Sequence, residues 1–262
     1  MTVTGQAEGL GVRLLGLVRS VALGGLAGAI AGVVVLGVGG RFVMFVSRLL
    51  HPEASGRITE NGNRIGEFTV DGTIELIVFG GLLSGLLAGV VWVLVREWIP
   101  KKAALVGLGA VAIGGSFLIQ GNNRDFFILQ DPRLDLVLLL GLLFLFGVVL
   151  YWVDGLLDEK MPDQPQTFGI VVYSLMVAIA APLIIPTFAS MFSKDFCFCS
   201  NPPIWTGVFL TATSLSTIVW WVQHLRGVDT PSRTLNMIGT TSLALTAIAG
   251  AVDLTTEITQ IL

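Results

Sequence analysis

The chain has 262 residues, of which 53% are hydrophobic and only 13% are charged. Water-soluble domains carry about 25% charged residues, so this composition excludes an ordinary soluble globular protein. The net charge is -3, and the sequence has no basic stripe, which excludes nucleic acid as a partner.

Seven stretches of the chain are about as long as a bilayer is thick and contain no charged side chain. Crossing roughly 30 Å of hydrocarbon takes about 20 apolar residues in a helix. We therefore predict an all-α membrane protein, a single bundle of seven transmembrane helices over residues 21–262. The stretches are residues 21–40, 76–95, 103–119, 136–153, 168–193, 204–222 and 235–252.

Residues 1–20 precede the first stretch. They have no early basic region and no cleavage pattern after a short apolar core, which argues against a removable signal peptide. Arg13 and Arg19 lie on the polar edge of a short amphipathic segment. We expect this segment to lie on the membrane surface as a lead-in to the bundle.

The first two stretches each carry three glycines at a spacing of four residues. In a membrane, small residues let helix backbones approach closely and supply the packing energy that lipid cannot. The pattern predicts a glycine-zipper seam between two antiparallel helices, and we favour this interpretation over a glycine-lined pore. The residues are Gly24, Gly28 and Gly32 on the first helix, and Gly81, Gly85 and Gly89 on the second.

The loop of residues 52–72 has the pattern of a short β-hairpin. Asn61-Gly62 is a strong signal for a two-residue turn, and pairing about it places Ile58 opposite Ile65. A two-stranded hairpin is marginally stable alone in water, so we expect it to pack on the bundle or on a partner. It is either a recognition surface or a lid that caps the bundle.

The fifth stretch contains Pro182 and Pro186. Each proline removes a backbone donor and presses on the preceding turn, so the helix is expected to kink there. Broken helices form binding sites in some transporters. A plain kink is the preferred interpretation here, because no charged or carboxamide residue lies nearby.

Charged residues gather next to the membrane on one side of the predicted bundle. Arg41 follows an apolar stretch, and an ionised group at that depth normally turns inward to a partner. We predict a half-buried network in which Arg41, with Arg48, pairs with Glu75 or Asp253. Glu257 shares a helical face with Asp253. A structural ion pair is favoured over a substrate or ion site.

The predicted membrane interior lacks reactive groups. No ionisable residue lies near the middle of a stretch, which argues against a pump or proton-coupled carrier. The last helix has no lysine for a retinal Schiff base, and His51 and His224 lie outside the stretches, which excludes a pair of axial haem ligands. Cys197 and Cys199 supply at most half of a zinc site. We therefore assign no metal and no cofactor.

Basic residues in the loops indicate the orientation only weakly. Eight lie on the N-terminal side of the predicted bundle and seven on the opposite side. Arg96, Lys101 and Lys102 crowd into one short connection, which favours a cytoplasmic N-terminus. We expect a bacterial plasma membrane protein whose C-terminus lies outside.

Two classes of function fit these patterns. In the first, the protein is a non-catalytic subunit or scaffold that packs against lipid, other membrane proteins or a second copy of itself and presents the hairpin. In the second, it is a channel or facilitator for a small solute, lined by the kinked fifth helix and the hydroxyl-rich sixth and seventh helices. A lipid-modifying enzyme is a distant third, because soluble-type catalytic motifs are absent. A dry, uncharged interior favours the first class.

Overall fold

A computed structural model describes residues 9–58, 67, 69–129, 131–162, 167–193 and 202–262. These residues form an all-helical structure in which no strand is present. The predicted β-hairpin is therefore not confirmed. Asn61, Gly62 and Ile65 lie outside the described residues, and Ile58, just before them, is exposed. Cys197 and Cys199 also lie outside them.

Six of the described helices are long and apolar enough to cross a membrane. They coincide with six of the seven predicted stretches. We name the helices α1 (Leu10–Leu50), α2 (Val70–Val95), α4 (Arg133–Lys160), α5 (Gly169–Phe192), α6 (Ile204–Leu225) and α7 (Arg233–Ile261).

The third predicted stretch forms a shorter helix, α3 (Ala103–Leu118). At 1.5 Å per residue it is only about 24 Å long, less than the thickness of the hydrocarbon core, so the seven-helix count is not confirmed. Glycines let α3 pack tightly between two long helices. A Cβ at Gly147 of α4 would lie 2.7 Å from the Val106 carbonyl oxygen, and one at Gly250 of α7 would lie 2.6 Å from that of Ala112.

Helix α1 is longer than any single crossing requires. Its 41 residues extend about 60 Å, roughly twice the hydrocarbon thickness. Residues 10–20, the predicted lead-in, are the first turns of this helix and continue into the apolar stretch without a break. Within α1, Gly32–Gly39 is π-helical, and this segment packs against the π-helical segment Leu76–Leu83 of α2.

The glycines of α1 and α2 lie against one another's backbones. A Cβ added at Gly28 would overlap the Gly85 carbonyl oxygen, and one added at Gly32 would lie 2.6 Å from the Gly85 Cα. A Cβ at Gly89 would lie 2.7 Å from the Gly24 carbonyl oxygen. No side chain larger than hydrogen fits at these positions without moving a backbone. The close approach therefore depends directly on the glycine spacing.

Helix α5 changes its hydrogen bonding where the prolines lie. An α-helical segment, Thr167–Ala180, passes through a 3-10 turn, Ala181–Leu183, into a second α-helical segment, Ile184–Phe192. Pro182 lies in the turn and Pro186 in the second segment. The tighter turn accommodates a residue that cannot donate a backbone hydrogen bond.

The largest buried cluster joins α1 to its neighbours. Small side chains of α1 face bulkier ones of α2, α4 and α6, and the aromatic ring of Trp92 meets that of Tyr151 edge-on at 6.4 Å. Such alternation of small and large residues fills the interior without voids. The cluster comprises Ala27, Ala31, Val35, Trp92, Val95, Val106, Phe146, Leu150, Met191 and Leu210.

Candidate functional site at the carboxylate end of the bundle

The two ends of the bundle carry different polar chemistry. At one end lie the end of α1, the loop after α3, the start of α4, the start of α6 and the end of α7. We call it the carboxylate end and define it by His51, Asp135, Asp253 and Glu257. The opposite end, the arginine end, is defined by Arg13, Arg19 and Arg96.

His51 is the central side chain of the carboxylate end. It terminates α1, because Pro52 follows it and disfavours a helical conformation at the preceding residue. The imidazole is buried, with only 6% of the residue exposed. Its Nε2 lies 2.8 Å from Oδ2 of Asp135, and its Nδ1 lies 3.2 Å from Oε1 of Glu53.

Asp135 is equally buried, in the first turn of α4. The free backbone amides at a helix N-terminus favour a negative charge there. Helix α4 thus supplies a carboxylate that is stabilised by its own position in the helix. The hydrogen bond to His51 joins residues 84 positions apart and fastens the end of α1 to the start of α4.

His51 connects two carboxylates through its two ring nitrogens. Nδ1 lies against Oε1 of Glu53, and Nε2 lies against Oδ2 of Asp135. Glu53, His51 and Asp135 therefore form one hydrogen-bonded unit, in which the imidazole lies between the two carboxyl groups.

The two acidic residues of α7 contact two different elements. Oδ2 of Asp253 accepts a hydrogen bond of 2.8 Å from the hydroxyl of Thr206, a fully buried residue in the first turn of α6. Glu257 has only 4% of its surface exposed, and its Oε2 accepts a hydrogen bond from the backbone amide of Gly121 in the loop after α3. Together they hold α7 to α6 and to α3.

The residues predicted from sequence have the following positions. Arg41 is half-buried and donates to the Thr69 carbonyl oxygen at 3.4 Å, before the start of α2. Arg48 and Glu75 are exposed. Asp253 lies at the same end of the bundle but contacts Thr206. The pairing of Arg41 with Glu75 or Asp253 stays a prediction.

The structure adds His51, Asp135, Thr206 and Gly121 to this site, which sequence reasoning missed. One signal was present for Asp135. It immediately precedes the stretch 136–153, where a polar side chain can reach back into the bundle. The pairing of His51 with Asp135 depends on which helices are neighbours, and the sequence pattern does not contain that information.

No group of three or more His, Cys, Asp or Glu side chains among the described residues has the geometry of a metal site. His51 and its two carboxylates are arranged in a line of hydrogen bonds, with the ring between them, rather than around a common centre. These hydrogen bonds join the end of α1 to the residues after it and to the start of α4.

Guanidinium groups hold the arginine end together. Arg19 is buried in α1 and donates to the Asp158 carboxylate at 2.6 Å and to the carbonyl oxygens of Asp158, Met161 and Pro162 at 2.7, 2.8 and 3.3 Å. These carbonyls lie at the C-terminus of α4, where helix carbonyls have no partner within the helix. Arg19 thus closes the end of α4.

Arg96 acts in a similar way between three helices. It leaves the end of α2, contacts both carboxylate oxygens of Asp154 on α4 at 2.9 and 3.1 Å, and donates to the Ser20 carbonyl on α1 at 3.1 Å. Farther out, Arg13 donates to the His224 carbonyl oxygen in the last turn of α6 and to the Asp229 carboxylate beyond it.

The long apolar helices define an integral membrane protein. Their ends are fastened by polar contacts on both sides of an apolar centre. No protein-family model matches the sequence, and no curated protein and no solved structure is similar to it.

Proposed function

We propose that the protein is a non-catalytic, multi-pass membrane subunit or scaffold, which packs against other membrane components. The observation that carries this proposal is that, among the described residues, buried hydroxyl groups in the middle of α6 and α7 donate to backbone carbonyls rather than facing a polar path. The outer helix faces remain apolar and are available to a neighbour.

The hydroxyls of α6 and α7 supply the main support. Thr213, Ser214 and Thr246 are buried, and each donates to the carbonyl four residues earlier in its own helix at 2.8 to 3.0 Å. Thr217 donates across to the Leu94 carbonyl and accepts from the indole of Trp98. A conducting path needs polar groups that face water or the solute. These groups are already satisfied by protein, so they favour packing over permeation.

Helix α5 is the strongest candidate for a docking face. Only 11% of its most apolar window is buried within the bundle, the smallest share among the six long helices. Ile185 is 73% exposed, and Val171, Leu175 and Ile179 are also exposed. An apolar helix with so little internal packing is covered by lipid or by another protein, and a subunit requires such a face.

We also propose that α3 serves as a seventh crossing and that the chain ends lie on opposite sides. The contacts at its two ends support this. Before α3 begins, Trp98 packs on Gly239 in the first half of α7, and after α3 ends, Gly121 contacts Glu257 near the end of α7. The second half of α3 therefore packs along the second half of α7, and Trp98, before α3, reaches the first half of α7. The weak charge bias favours a cytoplasmic N-terminus, and the compact loops favour a bacterial plasma membrane.

One experiment separates a subunit from a channel. A photoreactive amino acid is placed at Ile185 on α5, and at the similarly exposed Met237 on α7 as the matched control. Irradiation in native membranes is expected to give one discrete adduct, a partner protein or a second copy, from position 185 and none from position 237.

The same protein is reconstituted into vesicles for flux measurements. The expected result is no solute or ion flux above that of empty vesicles. Flux that depends on the protein, together with no discrete adduct from Ile185, would contradict the subunit proposal and favour the channel or facilitator.

A further inference from the structure

A groove opens between α6 and α7 at the carboxylate end. Its walls are apolar and aromatic, and a single ionisable residue, Asp253, stands at its rim. The indole of Trp205 is 66% exposed and stacks on the ring of Phe209, with 6.2 Å between the ring centres. The lining residues are Trp205, Phe209, Leu245, Ile248, Ala249, Val252 and Asp253.

The charge of Asp253 has no basic counterpart among the described residues. Its only described polar contact is the Thr206 hydroxyl, which occupies Oδ2. An ionised carboxylate beside the hydrocarbon of a membrane is costly and is normally paired. A cation supplied from outside the chain would satisfy the remaining oxygen.

We propose that this groove binds one phospholipid whose headgroup ends in an ammonium group. The ammonium lies between the Asp253 carboxylate and the face of the Trp205 ring, which attracts cations through its π-system. One acyl chain then follows the groove over Phe209, Ile248 and Val252. This inference goes beyond the subunit proposal, because the site would exist equally in a subunit or a channel.

Charge complementarity selects this occupant over two others. An anionic lipid would bring its headgroup to a carboxylate with no described cation beside it, and like charges at close range repel. A second copy of the chain would present the same groove with the same carboxylate. An ammonium headgroup joined to an acyl chain matches both the charge at the rim and the apolar walls.

The test uses the full chain, delipidated in detergent and titrated with phosphatidylethanolamine or phosphatidylglycerol under native mass spectrometry. Wild-type protein is expected to retain one phosphatidylethanolamine at least about tenfold more tightly than phosphatidylglycerol, the ratio that about 1.4 kcal/mol produces. Asp253→Asn is expected to remove most of that preference. Asp71→Asn, at an exposed carboxylate in the first turn of α2, is the matched control and is expected to leave it unchanged.

Trp205→Leu provides a second variant, because the ring is largely exposed and its loss leaves the bundle intact. It is expected to weaken phosphatidylethanolamine retention about fivefold, within the range of a single cation–π contact. Equal retention of the two lipids by the wild type, or full preference in both variants, would overturn the proposal. Photocrosslinking at Ile185 does not involve this groove, so the two proposals can fail separately.

Discussion

The arginine end and the carboxylate end fasten the same helices with different chemistry. Arg19 and Arg96 each reach several acceptors with a rigid, permanently charged fork. At the other end, each carboxylate is bonded to a short side chain or to a backbone amide. These partners are His51, the Thr206 hydroxyl and the Gly121 amide. The arginine end is a set of multiple contacts that converge on α4. The carboxylate end consists of separate hydrogen-bonded groups, one of which is the unit of Glu53, His51 and Asp135.

This difference predicts that the contacts of the arginine end contribute more to the free energy of unfolding than those of the carboxylate end. Replacing Arg19 with Met removes four donated hydrogen bonds and leaves the last carbonyls of α4 without partners. The free energy of unfolding is expected to fall by about 3 kcal/mol, chiefly because three carbonyl oxygens lose a charged donor, since the Asp158 side chain itself is largely exposed. Unfolding in mixed micelles measures this. Arg48→Met, at an exposed arginine, is the control, and an equal loss in both variants would contradict the assignment.

The glycine seam between α1 and α2 links the two ends, so disturbing it tests whether they are independent. Gly28→Ala forces a Cβ into the Gly85 carbonyl oxygen and is expected to cost about 2 kcal/mol. Gly109→Ala is the matched control, because a Cβ there meets nothing, and it is expected to be neutral or stabilising by about 0.5 kcal/mol. Hydrogen exchange should rise at both ends in the first variant only. Equal stability of the two variants would show that α1 and α2 do not approach as described.

His51→Ala tests the hydrogen-bonded unit of Glu53, His51 and Asp135. It leaves the buried Asp135 without its partner and is expected to lower the free energy of unfolding by about 2 kcal/mol. Hydrogen exchange should increase near the start of α4 and stay unchanged around Arg19. His224→Ala, at a histidine outside the core of the bundle, is the control. Faster exchange at the arginine end in His51→Ala would mean that the two ends are coupled.

Among these substitutions, replacement of Arg13 is expected to change the free energy of unfolding least. Its partner Asp229 is largely exposed to solvent, and exposed ion pairs contribute little because water screens them. Arg13→Gln is expected to change the free energy of unfolding by less than about 0.5 kcal/mol. A loss as large as that of Arg19→Met would show that the outer turns of α1 are as tightly held as the inner ones.

Different parts of this structure were unequally predictable from sequence. Uncharged stretches identify α1, α2 and α4 to α7, because hydrocarbon solvation acts on each helix separately. The glycine spacing also predicts a contact between two helices, since three small residues on one helix face are typical of close helix packing. The same pattern predicts α3 as a full span, which the structure does not confirm, because the absence of charge does not define the residue at which a helix ends.

Contacts between distant residues were not predictable. His51 and Asp135 meet only because α1 and α4 are neighbours, and Asp253 and Glu257 share a face of α7 yet contact different elements. The expected partner of Arg41 was chosen by charge alone. Neighbouring hydroxyls and backbone amides compete for the same carboxylates, and a sequence does not show which of them lie within reach.

The most direct test of the account is the membrane sidedness of the two chain ends. Cys197 and Cys199 are first replaced by serine, and Gly11→Cys and Thr259→Cys are introduced one at a time at exposed positions. A membrane-impermeant maleimide is then applied to intact cells and to inverted vesicles. We expect position 259 to label in cells and position 11 only in inverted vesicles. Labelling of both positions from the same side would contradict seven crossings and the role of α3.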